Sequence, residues 1–139
     1  MLPVALLPED DDTVPFPPVS YALREPNGLL AIGGNLRPRR LLQAYRHGIF
    51  PWFARDEPIL WWSPDPRCVI FPGDFHVSRS LRRTWRRGRF EVTRDRAFRD
   101  VVRACARPRP RSPGTWIVPS MVDAYLELYR LGCATSFEC

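Results

Sequence analysis

The stretch "GIFPWFARDEPILWWSPDPR", from Gly48 to Arg67, constrains the fold more than any other part of the chain. It places Trp52, Phe53, Trp61 and Trp62 within eleven residues and also carries Pro51, Pro58, Pro64 and Pro66. Proline lacks the backbone donor and clashes with the preceding turn, so no ordinary amphipathic helix runs through this segment. Large aromatics held between rigid turns leave two readings open. They are either an aromatic mini-core or a platform for a flat ligand.

The flanks carry regular signals. In "REPNGLLAIGGNLRPRRLLQAYRHG", a turn at Pro26-Asn27-Gly28 precedes a short apolar run, Leu29 to Ile32, broken by Gly33-Gly34. No GK[ST] follows those glycines, so they read as a tight turn and not as a phosphate loop. Pro38 suits the first turn of a helix with apolar Leu41, Leu42 and Tyr45, ended by Gly48. "RCVIFP" (67–72) predicts a short strand, and "VSRSLRRTWRRG" a helix capped by Ser78, ended at Gly88, burying Leu81 and Trp85. "RFEVTR" alternates as a strand does, with Phe90 and Val92 on one face. "DRAFRDVVRACA" predicts a helix capped by Asp95 with Phe98, Val101, Val102 and Cys105 inward. "RPRPRSPG" (107–114) reads as a basic, Pro-rich loop. "PSMVDAYLELYRLG" predicts a helix from Pro119 to Gly132 with a stripe of Val122, Tyr125, Leu126 and Tyr129. "CATSFEC" reads as a strand with no partner after it. Strand, helix, helix, strand from Arg89 onward is expected to be an unfinished α+β domain.

Composition narrows the function classes. The 139 residues are 45% hydrophobic and 12% aromatic, enough for a folded core. No apolar run approaches the ~20 residues of a membrane span, so no membrane partner is expected. The opening "MLPVALLPEDDDTVPFPPVS" lacks the basic start and long apolar stretch of a secretory signal. It reads as a poorly ordered acidic, Pro-rich arm, and a cytoplasmic location is expected. Cys68, Cys105, Cys133 and Cys139 form no CxxC pair, and only His47 and His76 accompany them, so no metal site is expected. Charge is unevenly placed. From Arg79 to Arg111, thirteen arginines face only Glu91, Asp95 and Asp100, a local net of +10. Such a field suits a polyanion, the alternative being a solvated basic face.

The blocks "EPNGLLAIGGNL", "LLQAYRHGIFPWF", "PILWWSPDPR", "HVSRSLRR" and "GTWIVPSMVDAYLELYRLG" resemble the leucyl/phenylalanyl-tRNA–protein transferases of bacteria. The resemblance runs from about Phe16 to Glu138. Asn35 stands where an Asp is usual, and Val118 precedes Pro119 where a Thr is usual. The resemblance implies an aminoacyltransferase that moves Leu, Phe or Met from aminoacyl-tRNA to the N-terminal Arg or Lys of a protein, feeding N-degron proteolysis. No cofactor is implied, because the ester already stores the free energy of the new bond. The implied fold is α+β: a flexible arm (1–20), a small N-terminal domain (21–66), and the start of a domain like that of the GNAT acetyltransferases (67–139).

By resemblance, Trp52 and Trp116 line the site for the terminal adenosine and its amino acid. Arg79, Arg83, Arg86 and Arg87 are expected on acceptor-stem phosphates. Trp61 and Trp62 beside Pro64 and Pro66 read as structural more than as binding, as does Arg67. Family members continue for about another hundred residues, so the catalytic groups at the ester are expected beyond Cys139. The chain is therefore expected to be a truncated member, inactive alone, whose full-length form is a monomer. The rival reading is a stand-alone tRNA- or RNA-binding module without catalysis.

Overall fold

A computed structural model describes residues 4–108 and 114–139. Most of the basic, Pro-rich loop expected at 107–114 lies outside the described residues. The fold is α+β, with two sheets. Strands β1 (Ala5–Leu7), β2 (Leu29–Gly33), β3 (Phe50–Pro51) and β4 (Leu60–Trp62) form a sheet in the order β1-β2-β4-β3. β1 runs parallel to β2, and β4 is antiparallel to both its neighbours. Helix α1 (Pro38–Arg46) connects β2 to β3. Beyond β4 come α2 (Arg79–Arg86), β5 (Thr93–Arg94), α3 (Phe98–Cys105), α4 (Pro119–Arg130) and β6 (Phe137–Glu138).

β4 organises the first sheet. Successive strand residues point to opposite faces, and here Trp61 is fully buried while Trp62 is half-buried. The Trp61 indole Nε1–H donates to the Gly33 carbonyl at 2.9 Å, so burial leaves no orphaned donor. Around Trp61 pack Leu7, Leu30, Ala31, Leu41, Ala44 and Ile49. The turn at Gly28 is equally constrained. Its φ is +94°, and an added Cβ would lie 2.5 Å from Pro64 Cα. Only glycine meets both demands.

The expected loose arm is part of this sheet. β1 pairs with β2 in the register Ala5↔Ala31 to Leu7↔Gly33. Arg40, fully buried on α1, holds the chain that follows. Its guanidinium donates to the Val14 carbonyl and, at 2.8 Å, to the Asp11 carbonyl, and lies 5.1 Å from the Phe16 ring centre. Phe16 then meets Trp61 edge-on at 4.9 Å. A helical arginine reads as solvent-facing in sequence, but here carbonyl oxygens outside the helix accept from its two terminal nitrogens, while its buried Nε has no hydrogen-bond partner.

The core also crosses the expected division at 66/67. Ala124 and Leu128 of α4 join the Trp61 cluster, and the Tyr45 and Tyr125 hydroxyls hydrogen-bond between α1 and α4. The deepest α4 residues are Met121, Ala124 and Leu128, whereas the expected stripe of Val122, Tyr125, Leu126 and Tyr129 is only half-buried. α4 packs on α1 on one side and α3 on the other.

Residues 67–92 depart most from expectation. No strand forms at 67–72, and Val69, Ile70 and Phe71 are exposed. α2 forms as expected, with Ser78 Oγ accepting from the Leu81 amide at 3.2 Å. It has no buried residue, however, and Leu81 and Trp85 face solvent. The strand at 89–94 shrinks to Thr93–Arg94, with Phe90 and Val92 exposed. Apolar patterning needs a facing surface to become burial, and none is present here among the described residues.

β6 does have a partner. It pairs antiparallel with β5, and carboxylates fasten the pair. Asp95, with φ of 58°, does not cap α3. Its carboxylate accepts from Thr135 Oγ1 at 2.7 Å and from the Ser136 amide at 2.8 Å. Glu138 accepts from Ser136 Oγ, Thr93 Oγ1 and the Ala97 amide at the start of α3. Phe98 stacks on Tyr129 at 4.2 Å, joining α3 to α4.

Trp61→Ala should cost about 3–5 kcal/mol by urea unfolding, whereas exposed Trp85→Ala should stay within about 0.5 kcal/mol. The Thr135 and Ser136 bonds hold the Asp95 carboxyl below its ordinary range, and the Ser136 and Thr93 bonds do the same for Glu138. A lowered folded pKa gives stability that is complete above the ordinary carboxylate range and lost as pH falls through the folded values. The thermal midpoint should therefore drop on acidification below about pH 4, and less steeply in Asp95→Asn.

Candidate functional site

The β3–β4 hairpin builds one wall of an open cleft of about 690 Å³. The Trp52 amide donates to the Leu60 carbonyl at 2.9 Å, extending the pairing one residue past β3. Beyond it, the Ala54 amide donates to Glu57 Oε2 at 2.8 Å and closes the turn. Alternation separates the aromatics by role. Phe53 turns inward to a second apolar cluster with Val118 and Met121, while Trp52 turns outward and is 54% exposed. Trp62 lines the same cleft, and its indole Nε1–H donates to the Trp52 carbonyl at 2.7 Å. The two rings sit 6.0 Å apart at 54°.

The other wall comes from the end of α3 and the lead into α4, and carries Cys105, Arg107, Thr115 and Trp116. Trp116 is 40% exposed, and the next residues, Ile117 and Val118, pack against the Phe53 cluster. Inward Phe53 and Val118 thus tie together the segments that present outward Trp52 and Trp116. The two residues assigned to adenosine are 64 positions apart in sequence and share one cleft.

Three members of this cleft lie outside the sequence expectation. Trp62 was expected to be structural with Trp61, but period-two alternation on a short strand puts the pair on opposite faces. Glu57 and Arg107 carried no motif. Cys105, expected inward on α3, is instead exposed on the cleft wall. Arg67 is structural: its guanidinium donates to the Gly48 carbonyl at 2.8 Å and lies 5.4 Å from the Phe50 ring centre.

Arg79, Arg83, Arg86 and Arg87 gather with Arg82 and His76 around a second, shallow cleft of about 550 Å³ along α2. All are exposed, and none pairs with a carboxylate among the described residues. Cations left unpaired and solvated are free to exchange counterions for a polyanion. No cluster of three or more His, Cys, Asp or Glu occurs among the described residues. No described helix is long and apolar enough to cross a membrane.

Known proteins match this chain along most of its length. The family profile described as "Leucyl/phenylalanyl-tRNA protein transferase" matches residues 69–139, and that of the family's N-terminal domain matches residues 34–65. The chain is 58% identical over 127 residues to the leucyl/phenylalanyl-tRNA–protein transferase of Stutzerimonas stutzeri (strain A1501), covering 91% of this chain and 56% of the relative. It is 67% identical over 117 residues to the enzyme of that name from Anaeromyxobacter sp. (strain Fw109-5), covering 84% and 50%. The chain spans about half the length of the curated relatives it matches.

The different settings of the two hairpin tryptophans predict different costs of truncation. Trp52→Ala should change unfolding free energy by less than about 1 kcal/mol, because the ring is mostly exposed. Trp62→Ala should cost about 1–2 kcal/mol more, since it also strips a donor from the Trp52 carbonyl. Urea titration of both variants checks the order.

Proposed function

The chain belongs to the leucyl/phenylalanyl-tRNA protein transferase family, and we propose that it binds the charged end of an aminoacyl-tRNA for transfer of Leu, Phe or Met to a protein's N-terminal Arg or Lys. The observation carrying this reading is the convergence of Trp52, Trp62 and Trp116 on one open cleft, in a chain that also carries a helix whose arginines lack carboxylate partners among the described residues. An adenine ring stacks on such faces at ~1–3 kcal/mol per base. Hairpin prolines hold the faces in place beforehand, which lowers the ordering cost at binding. Arg79, Arg83, Arg86 and Arg87 would take backbone phosphates, positioning the tRNA without reading its sequence.

In the transfer, the acceptor's free α-amine attacks the ester carbonyl, the amide bond forms, and the tRNA hydroxyl leaves with a proton. What these residues contribute is placement of the ester. Glu57, the carboxylate on the cleft wall, gives one oxygen to the Ala54 amide. We therefore assign it to holding the turn and not to taking the amine's proton. The order β5-α3-α4-β6 supports reading this part as the opening of an acetyltransferase-like domain, preceded by an N-terminal unit built on the β1-β2-β4-β3 sheet.

The test uses binding, since these assignments concern the tRNA. Leu-tRNA should bind the chain more tightly than uncharged tRNA, and Trp52→Ala should remove that difference. Arg86→Ala combined with Arg87→Ala should lower the slope of log affinity against log salt by about 2. Equal affinity for charged and uncharged tRNA with an intact salt slope would leave an RNA-binding module and overturn the cleft assignment.

A further inference from the structure

We propose that Arg107 is a positioning residue that grips the 5′-phosphate of the nucleotide seated in the tryptophan cleft and so sets which way round that nucleotide lies. The inference rests on the adenosine reading of the cleft but assigns a group that stacking leaves unaccounted for. A terminal nucleotide brings a base, a ribose carrying the ester, and a phosphate linking it to the rest of the strand. The aromatic faces suit the base and are indifferent to its direction, because a ring stacks equally well turned over. Direction has to come from charge.

Among the described residues lining the cleft, Arg107 is the one cation. It stands two residues beyond the end of α3, its amide donating to the Ala104 carbonyl at 3.3 Å. The side chain is exposed, and no described carboxylate lies within ion-pair distance. The guanidinium is therefore not already engaged in holding the fold together. The hairpin wall carries the opposite charge, Glu57, and a phosphate there would be repelled. A planar fork of N–H donors matches two phosphate oxygens at once, which a point charge does not. With the phosphate drawn to the α3 wall, the ribose and its ester are left toward the hairpin, where an incoming amine can reach them.

The test compares two hydrolysis-resistant ligands, 3′-phenylalanylamino-3′-deoxyadenosine with and without a 5′-phosphate, by calorimetry on the whole chain. The wild type should bind the phosphorylated ligand roughly tenfold more tightly at low salt. Arg107→Ala should abolish that gain while leaving the unphosphorylated ligand within about twofold, a split that loss of packing alone would not produce. Arg107→Lys should keep part of the gain, reporting charge without the fork. A phosphate gain that survives in Arg107→Ala would overturn the proposal. Failure of both ligands to bind the wild type would instead overturn the adenosine reading, and the phosphate assignment would fall with it.

Discussion

Everything in the first sheet depends on the alternation of three residues, Leu60, Trp61 and Trp62. β4 is hydrogen-bonded on both sides, to β2 and β3, so its register cannot slip without reversing all three side chains. In the register adopted, one indole is fully enclosed and bonded to the Gly33 carbonyl, while the next is bonded to the Trp52 carbonyl across the hairpin. The same pairing therefore closes the core and aims the cleft. A one-residue slip would bury the cleft-facing ring and expose the core ring, damaging stability and binding together.

The aromatic segment thus divides, residue by residue, between core and surface. Phe53 and Trp61 are core, and Trp52 is presented to solvent, with Trp62 serving each side. Much of this was legible in the sequence. Pro38, Ser78 and Pro119 marked helix starts correctly because they act locally, through a fixed φ or a single cap bond. What could not be read were features decided by distant partners. Arg40 turns inward because carbonyls from residues 11 and 14 come to meet it. Val69, Ile70, Phe71, Leu81 and Trp85 stay outside because no described element lies over them. Asp95 leaves the helix cap because Thr135 and Ser136, some forty residues on, compete for its carboxylate. For the cleft, family resemblance supplied Trp52 and Trp116, while Glu57 and Arg107 emerge only from the way two walls face each other.

Charge and burial are distributed in opposite ways along the chain. The acidic opening is drawn onto the sheet by one buried arginine, and the arginine-rich part from Arg79 onward is largely solvated. α4 links the two, giving Ala124 and Leu128 to the Trp61 cluster and Tyr129 to α3. Its position carries the core from the first sheet into the second half of the chain. The arginine-rich helix α2 contributes no buried residue to the core.

The parallel pairing of β1 with β2, together with the place of α4 in the core, fixes the order in which the protein becomes itself during synthesis. β1 leaves the ribosome first but has no strand to join until residues 31–33 follow. Trp61 comes later still, and the cluster around it is completed only by residues 124 and 128. Contacts so far apart in sequence are closed late and slowly, because the loop entropy must be overcome before any burial rewards it. The nascent chain must therefore carry Trp61 incompletely shielded until residues 124 and 128 have been made. The prolines and acidic residues interspersed near the tryptophans then have a further use, as breakers of the strand-to-strand association to which a bare aromatic run is prone.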